Sequence, residues 1–370
     1  MSRPLVCAVI TNVPVPYRLA MWERLAALGG VTLHLVYCAP AHVDPTQDGR
    51  QTPGYTSHFL DAPYEAKVDG FAHADWGVTR LLDRIQPDVV VTTGFIWTYL
   101  FAFAWTRLRG VPHVAMTDGT DTSEAGLSRA HRVVRRLVFA GTRSFVGASE
   151  GAWRLYAQYG VPRQRFFKAS LCIDNARFAA APGGDRPFDL LFSGRMVPHK
   201  NPMFVLDVAA EVARRLGRRV TLRVLGQGDL VQAFQAKAQG LADLIDMTFS
   251  GYLPQRDLPA AYQSAKVFLF PSLFEPWGVV ANEACAAGAV CVVSPQVGAA
   301  GELVIDAKTG VVATLDVGVW AERVAALLSQ PDRWSVLSQA AQAHVQGFSF
   351  EASAPAMKAA LVQACARGDA

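Results

Sequence analysis

Residues 267–288 read VFLFPSLFEPWGVVANEACAAG, and this stretch decides the architecture. Its first four residues, Val267 to Phe270, form the short continuous apolar run of a strand buried on both faces. Pro271 and Ser272 end that run, and Pro276 and Gly278 supply turn chemistry before an alanine-rich helical stretch that continues to Ala287. After Gly288, the run Val290 to Val293 (VCVV) is a second buried strand. Strand, helix and strand at this spacing make a βαβ unit, which implies parallel strands with the helix covering the sheet.

Working outward, the same alternation fills the chain. Upstream, strands are expected at 189–192, 220–225 and 247–249, with helices at 202–216, 230–238 and 258–264 between them. In the first half, strands at 5–10, 31–36, 88–91, 113–116 and 144–146 alternate with helices at 17–28, 75–85, 96–109, 128–140 and 151–159. Two α/β domains of doubly wound, Rossmann-like parallel sheet follow. The small, Pro/Gly-rich run Ala179 to Arg186 (AAAPGGDR) reads as the linker. The expected division is 1–173 for the first domain, 174–346 for the second and 347–370 for a C-terminal helix. A cleft facing the carboxyl ends of both sheets is the default ligand site.

Composition narrows the function. The 370 residues are 51% hydrophobic and 18% charged with mean hydropathy +0.18, which excludes disorder. A net charge of +4 allows contact with phosphates or anionic lipid but is too small for a nucleic-acid footprint. Six scattered cysteines lack zinc-site spacing and read as reduced, mostly buried thiols of a cytoplasmic protein. The opening apolar run, 5–10, is too short for a signal-peptide core and reads as a first strand. The most membrane-like stretch, 89–105, is broken at Thr92, Thr93 and Gly94, so a strand, a turn and an apolar helix are expected there.

Two clusters carry chemistry. In Phe192-Ser193-Gly194-Arg195-Met196-Val197-Pro198-His199-Lys200-Asn201-Pro202, a strand ends at Gly194 and a helix opens at Pro202. Arg195 and Lys200 therefore lie at a sheet's carboxyl edge beside a helix N-terminus, in anion-binding geometry that an ordinary basic surface loop would share. In the second cluster, Gly278 lets backbone approach a ligand and the helix after it aims free N–H groups outward. Glu275 precedes that helix and Glu283 lies within it. A carboxylate amid Val279, Val280, Ala281 and Ala284 must be paired or hydrogen-bonded: it accepts ribose hydroxyls, or it satisfies buried backbone or an arginine.

Ser193-Gly194-Arg195 with Lys200-Asn201, the two glutamates of EPWGVVANEACAAG, Ser294 to Gly301 and Thr309-Gly310 together resemble the retaining nucleotide-sugar glycosyltransferases of family 4, which have the GT-B fold. The likeness is dense from 189 to 311. Cys172 to Phe178 (CIDNARF) and Phe348-Ser349-Phe350-Glu351 also fit the family pattern at the crossover and at a C-terminal helix returning to the first domain. The resemblance implies that Arg195 and Lys200 hold the donor diphosphate and that Glu283 binds the ribose. Glu275 and the backbone around Trp277, Gly278 and Val279 would meet the donor sugar and distal phosphate. Gly194 and Gly226, the latter in Gly226-Gln227-Gly228, would line the nucleotide side, and Tyr252 either stacks on the base or is a half-buried loop aromatic. No metal and no cofactor are implied, only a UDP- or GDP-linked sugar.

The first domain departs from the family. Where a glycine-rich loop is usual after the first strand, it carries Thr11 to Arg18 (TNVPVPYR); where a histidine is usual, it has Asp118 in Thr117-Asp118-Gly119. Asp118 thus stands where a catalytic polar group is expected, although Asp-Gly is also an ordinary turn. Tyr17 and Arg18 fall on the acceptor or phosphate side. Arg129, Arg132, Arg135 and Arg136 give the helix at 128–140 a basic face, either solvated or docked on anionic lipid.

The resulting expectation is a cytoplasmic, metal-independent, retaining glycosyltransferase, peripheral on the inner membrane face, acting on a glycan or lipid-linked acceptor in polysaccharide or glycoconjugate synthesis. A GT-B nucleotide-sugar epimerase and a non-catalytic nucleotide-sugar-binding pseudoenzyme are the alternatives. A Rossmann oxidoreductase fits less well, because the turn after Ile10 has no glycine fingerprint.

Overall fold

The computed structural model describes residues 3–39, 54–62, 65–67, 70–124, 126–179 and 184–366. The chain forms two compact units. One is Met1–Leu171 with Phe350–Ala370, and the other is Cys172–Ser349.

The first unit is built on a seven-stranded parallel sheet of β1 (Leu5–Thr11), β2 (Val31–Tyr37), β3 (Tyr55–Phe59), β6 (Val89–Thr92), β7 (His113–Thr117), β8 (Ser144–Gly147) and β9 (Phe166–Lys168), ordered β3-β2-β1-β6-β7-β8-β9. Two short strands, β4 (Glu65–Lys67) and β5 (Gly70–Ala72), pair separately as an antiparallel hairpin. Because side chains alternate along a strand, one sheet face packs against α1 (Pro16–Ala27) and α13 (Phe350–Cys365) through Val9, Leu35, Val91 and Met357. The other face, through Ala8, Ile10, Val90 and Phe145, packs against α2 (Gly77–Ile85), α3 (Trp97–Arg109), α4 (Arg129–Ala140) and α5 (Glu150–Ala157). The apolar stretch 89–105 resolves into β6, a turn and α3. Among the described residues, no helix is long and apolar enough to cross a membrane.

The second unit opens on α6 (Asn175–Phe178) and carries a six-stranded parallel sheet of β10 (Phe188–Ser193), β11 (Val220–Leu225), β12 (Ile245–Gly251), β13 (Ala265–Phe270), β14 (Val290–Val293) and β15 (Val311–Val312). The order is β12-β11-β10-β13-β14-β15. The helices are α7 (Pro202–Leu216), α8 (Val231–Gln239), α9 (Leu258–Gln263), α10 (Val279–Ala286), α11 (Val317–Ser329) and α12 (Pro331–Val345). Both sheets are doubly wound α/β, as the sequence predicts.

The sequence reading missed the separate pair β4 and β5 and, in the two large sheets, β3, β9 and β15. The last three are sheet-edge strands of two to five residues, and β3, YTSHF, is half exposed and largely polar. Strands of that kind lack the apolar run that marks a buried one. The six cysteines form no disulfide, and five of them are buried. Cys285 and Cys291 come closest, with sulfurs 3.6 Å apart.

Candidate active site

In each sheet the strand order reverses once, and the loops leaving the two strands at that point diverge to open a crevice at the carboxyl edge. In the second unit the reversal lies between β10 and β13. The β10 loop carries Gly194, Arg195 and Lys200, and the β13 loop carries Glu275 and Gly278. Topology alone thus gathers residues 75 positions apart.

Backbone hydrogen bonds then lock neighbouring loops together. Gly194 N–H donates to Leu225 O at 3.1 Å, Met196 N–H to Gln227 O at 2.9 Å, Gly226 N–H to Gly251 O at 2.8 Å and Leu273 N–H to His199 O at 2.8 Å. Gly226 has φ +136°, and a Cβ there would stand 1.9 Å from Gly194 O, so only glycine permits this closure. Gly278, with φ +91°, caps α10; a Cβ there would meet the Phe270 ring at 2.4 Å. No side chain caps α10, which leaves its first N–H groups as donors for an anion.

The Lys200 ammonium donates to the Glu275 carboxylate, and both side chains are mostly buried, 16% and 17% exposed. Burial, with the Arg195 charge second, pulls the Lys200 pKa down to about 8. The Arg195 side chain itself is exposed. Below them, Glu283 is buried in α10, where desolvation raises its carboxyl to about 7. The Tyr262 hydroxyl approaches Glu283 and Ser193 without the alignment of a full hydrogen bond, and the charge of Arg177 opposes the rise.

The Trp277 ring is fully buried, donates from its indole N–H to Asn282 Oδ1 at 2.9 Å and packs on Phe348. It supports the loop from beneath, leaving backbone as its offering to a ligand. Val279 opens α10 beside it. Tyr252, at the end of β12, is 59% exposed, as a stacking platform would be. Arg177 was missed as a site residue, although CIDNARF contains it. It donates to Gln255 O, tying α6 to the Tyr252 loop, and it faces Glu283.

In the first unit the reversal lies between β1 and β6, and a cavity of about 150 Å³ occupies it, lined among others by Thr11, Asn12, Tyr17, Arg18, Thr93 and Asp118. The Arg18 guanidinium donates to Asp118, so two residues singled out separately form one ion pair. Burial, with the Asp118 charge second, raises the Tyr17 phenol above its ordinary range. Asp118 is thus a charge partner inside a pocket. The Thr117 hydroxyl serves the turn instead, accepting from Gly119 N–H at 3.0 Å.

The structure corrects one expectation about α4. Arg129, Arg132 and Arg136 lie on its exposed side, but Arg135 turns inward and stacks over the Phe95 ring at 4.3 Å. An aromatic face offers a guanidinium an attractive partner, and helical periodicity does not register Phe95. Among the described residues, no cluster of three or more His, Cys, Asp or Glu is placed to hold a metal ion.

The sequence matches the family described as Glycosyl transferases group 1 over residues 175–344 and the Glycosyl transferase 4-like domain over 14–167. The chain belongs to this glycosyltransferase family. D-inositol 3-phosphate glycosyltransferase of Frankia alni is 36% identical over 194 residues, 49% of this chain and 47% of that protein. The putative glycosyltransferase EpsF of Bacillus subtilis is 30% identical over 275 residues, 68% of this chain and 67% of that one. The chain spans about half the length of the first of the curated relatives it matches. Among solved structures, HepE of Anabaena in complex with UDP and glucose superposes with TM-score 0.76 at 15% identity, covering 97% of this chain and 99% of that one. Sucrose-phosphate synthase of Thermosynechococcus elongatus gives 0.75 at 16%, covering 97% and 98%. The fold of this chain is therefore GT-B.

Proposed function

We propose that this glycosyltransferase moves a sugar, with retention at the anomeric carbon and without a metal, from a nucleoside-diphosphate donor to a glycan or lipid-linked glycan acceptor. The observation that carries the reading is the crevice at the β10/β13 reversal, where the loop after β10 brings Arg195 and Lys200 to the sheet's carboxyl edge, Lys200 meets Glu275 of the loop after β13, and the helix α10 that follows carries no side-chain cap and holds the buried Glu283. As the acceptor oxygen bonds to the anomeric carbon, the bond from that carbon to phosphate breaks and negative charge grows on the leaving diphosphate. Fixed cations and helix N–H groups stabilise that charge, the work a divalent ion does elsewhere. A solved neighbour holds UDP-glucose, which supports a UDP-linked donor. The Arg18–Asp118 pocket is assigned to the acceptor or reacting sugar.

Thermal-shift screening of UDP, GDP, ADP and their sugars tests the donor assignment. A ligand at about 100 times its dissociation constant adds ~2.7 kcal/mol of apparent stability. Donor hydrolysis and transfer assays, run with EDTA and with manganese, test turnover and metal independence. Stabilisation without any turnover would mark a pseudoenzyme.

Glu283 gives a pH signature. Accepting ribose hydroxyls needs the carboxylate, and its pKa in the free protein is about 7. Nucleotide affinity should therefore rise severalfold with pH between 6 and about 7.5 as Glu283 ionises, and fall again above about 8 as Lys200 loses its proton. Stability runs the other way. The folded state holds this proton more tightly than the unfolded state, so Glu283 makes stability fall as pH rises from the ordinary glutamate pKa of about 4.5 through about 7. Glu283→Gln should bind nucleotide more weakly, lose the affinity step and unfold at a higher temperature than the parent at pH 8. Calorimetry at several pH values reads all three, and an unchanged pH step in the variant removes Glu283 from the ribose.

Asp118→Asn should lower turnover about tenfold while the fold survives, because it removes the charge that positions Arg18. Near-normal kcat with the cognate donor would make Asp118 structural.

A further inference from the structure

Helices α2, α3 and α4 form one contiguous layer on the first unit. Val78 and Leu82 of α2 share a core with Ala102 and Trp105 of α3, and Leu100 and Phe103 of α3 share the next with Val138 and Phe139 of α4. The three helices carry eight arginines, two each on α2 and α3 and four on α4, against a single acid. That acid, Asp83, already accepts from Arg109 at 2.8 Å and from the Trp105 indole at 3.1 Å. The layer's formal charge is +7, while the whole chain carries +4, so the rest of the protein is net acidic.

The same layer exposes large apolar side chains. On α3, Trp97 is 64% exposed and Leu108 86%, and helical spacing puts them on one stripe with Phe101 and Ala104. Trp76, 61% exposed at the start of α2, packs edge-on against Phe101 with ring centres 4.6 Å apart. On α4, Val133 and Leu137 stand exposed among Arg129, Arg132 and Arg136. Single exposed apolar residues are ordinary, but a run of them across adjacent helices, two of them tryptophan, marks a contact surface.

We propose that the α2–α3–α4 face docks on an anionic lipid bilayer. The Trp76 and Trp97 indoles sit at headgroup depth, Leu108, Val133 and Leu137 enter the acyl boundary, and the flanking arginines bind headgroup phosphates. Charge selects this occupant. A second copy meeting the face about a two-fold axis would set +7 against +7. Nucleic acid would satisfy the arginines and tryptophans but would leave the three aliphatic side chains in water. No residue of the Lys200 crevice takes part, so the surface stands or falls apart from the donor assignment.

The test is flotation of the full chain with phosphatidylcholine vesicles, with and without phosphatidylglycerol, at low and high salt. Binding is expected only with phosphatidylglycerol and should weaken with salt. Trp97→Ser/Leu108→Ser and Arg129→Gln/Arg136→Gln should each bind the anionic vesicles at least about tenfold more weakly, with the stabilisation by nucleotide unchanged. In the unaltered protein, lipids brominated along the acyl chain should quench tryptophan fluorescence, a readout that needs no variant. Three results would overturn the proposal: anionic vesicles left unbound, binding indifferent to Trp97→Ser/Leu108→Ser, or absent quenching. A concentration-dependent dimer lost in Trp97→Ser/Leu108→Ser, or binding of the face to RNA in place of vesicles, would also overturn it.

Discussion

Replacing Lys200 with alanine is expected to lower kcat/KM about 10²–10³-fold, and Arg195→Ala should fall in the same range. The two cations share the loop after β10, and Lys200 is held largely out of water. A diphosphate is charged before reaction and more so as its bond to the sugar breaks. Part of each contact is therefore uniform binding, which raises KM when lost, and part acts only in the transition state, which lowers kcat. Both constants should move. Because Lys200 titrates near 8 in the free protein, kcat/KM should also decline as pH rises through that value. Lys200→Arg, whose guanidinium stays charged, should lose that alkaline limb while keeping part of the activity, whereas Arg195→Lys forfeits a forked donor and should stay impaired. Steady-state kinetics with the cognate donor, with folding checked by circular dichroism, decides the matter. Parental turnover in both alanine variants would end the diphosphate assignment.

The parts of this molecule legible in its sequence are those governed by local rules. Strands buried on both faces announce themselves as continuous apolar runs, as at Val290 to Val293, and helices between them show apolar periodicity and terminal signals such as Pro202 and Gly217. The edge strand Tyr55–Phe59 has no such signature, because only part of one side meets the core. The site divides the same way. Gly226 and Gly278 stand out because backbone geometry demands them, and Arg195, Lys200, Glu275 and Glu283 because their charges sit beside strand ends and helix starts. Pairings are another matter. That Lys200 meets Glu275, or that Arg18 meets Asp118 across 100 positions, depends on strand order, which no local pattern encodes. Tyr262, Arg177 and the Arg135–Phe95 stack went unread for that reason.

Glu275→Gln is expected to move binding and turnover in opposite directions. Without a ligand the Glu275 carboxylate accepts from Lys200, so an entering diphosphate must compete for that ammonium and lie close to a second negative charge. The amide removes both penalties, and UDP should bind several-fold more tightly. Turnover should fall about 10²–10³-fold, since a carboxylate beside the donor sugar stabilises the positive charge that develops on the sugar ring as its bond to phosphate breaks. Stability supplies a third readout. Removing one partner of a buried pair strands the other, at ~3–5 kcal/mol for full burial, and the residual exposure of both side chains reduces this to about 1–3 kcal/mol. The unliganded variant should melt earlier than the parent, and saturating UDP should close the gap, because the diphosphate becomes the partner Lys200 lost. Calorimetric UDP titration, kinetics and melting curves with and without UDP measure the set. Loss of binding together with turnover would mean a damaged loop, and retained turnover would take Glu275 out of the reaction. Tighter UDP binding with collapsed turnover has one physical source, a carboxylate that opposes the diphosphate in the ground state and serves the sugar in the transition state.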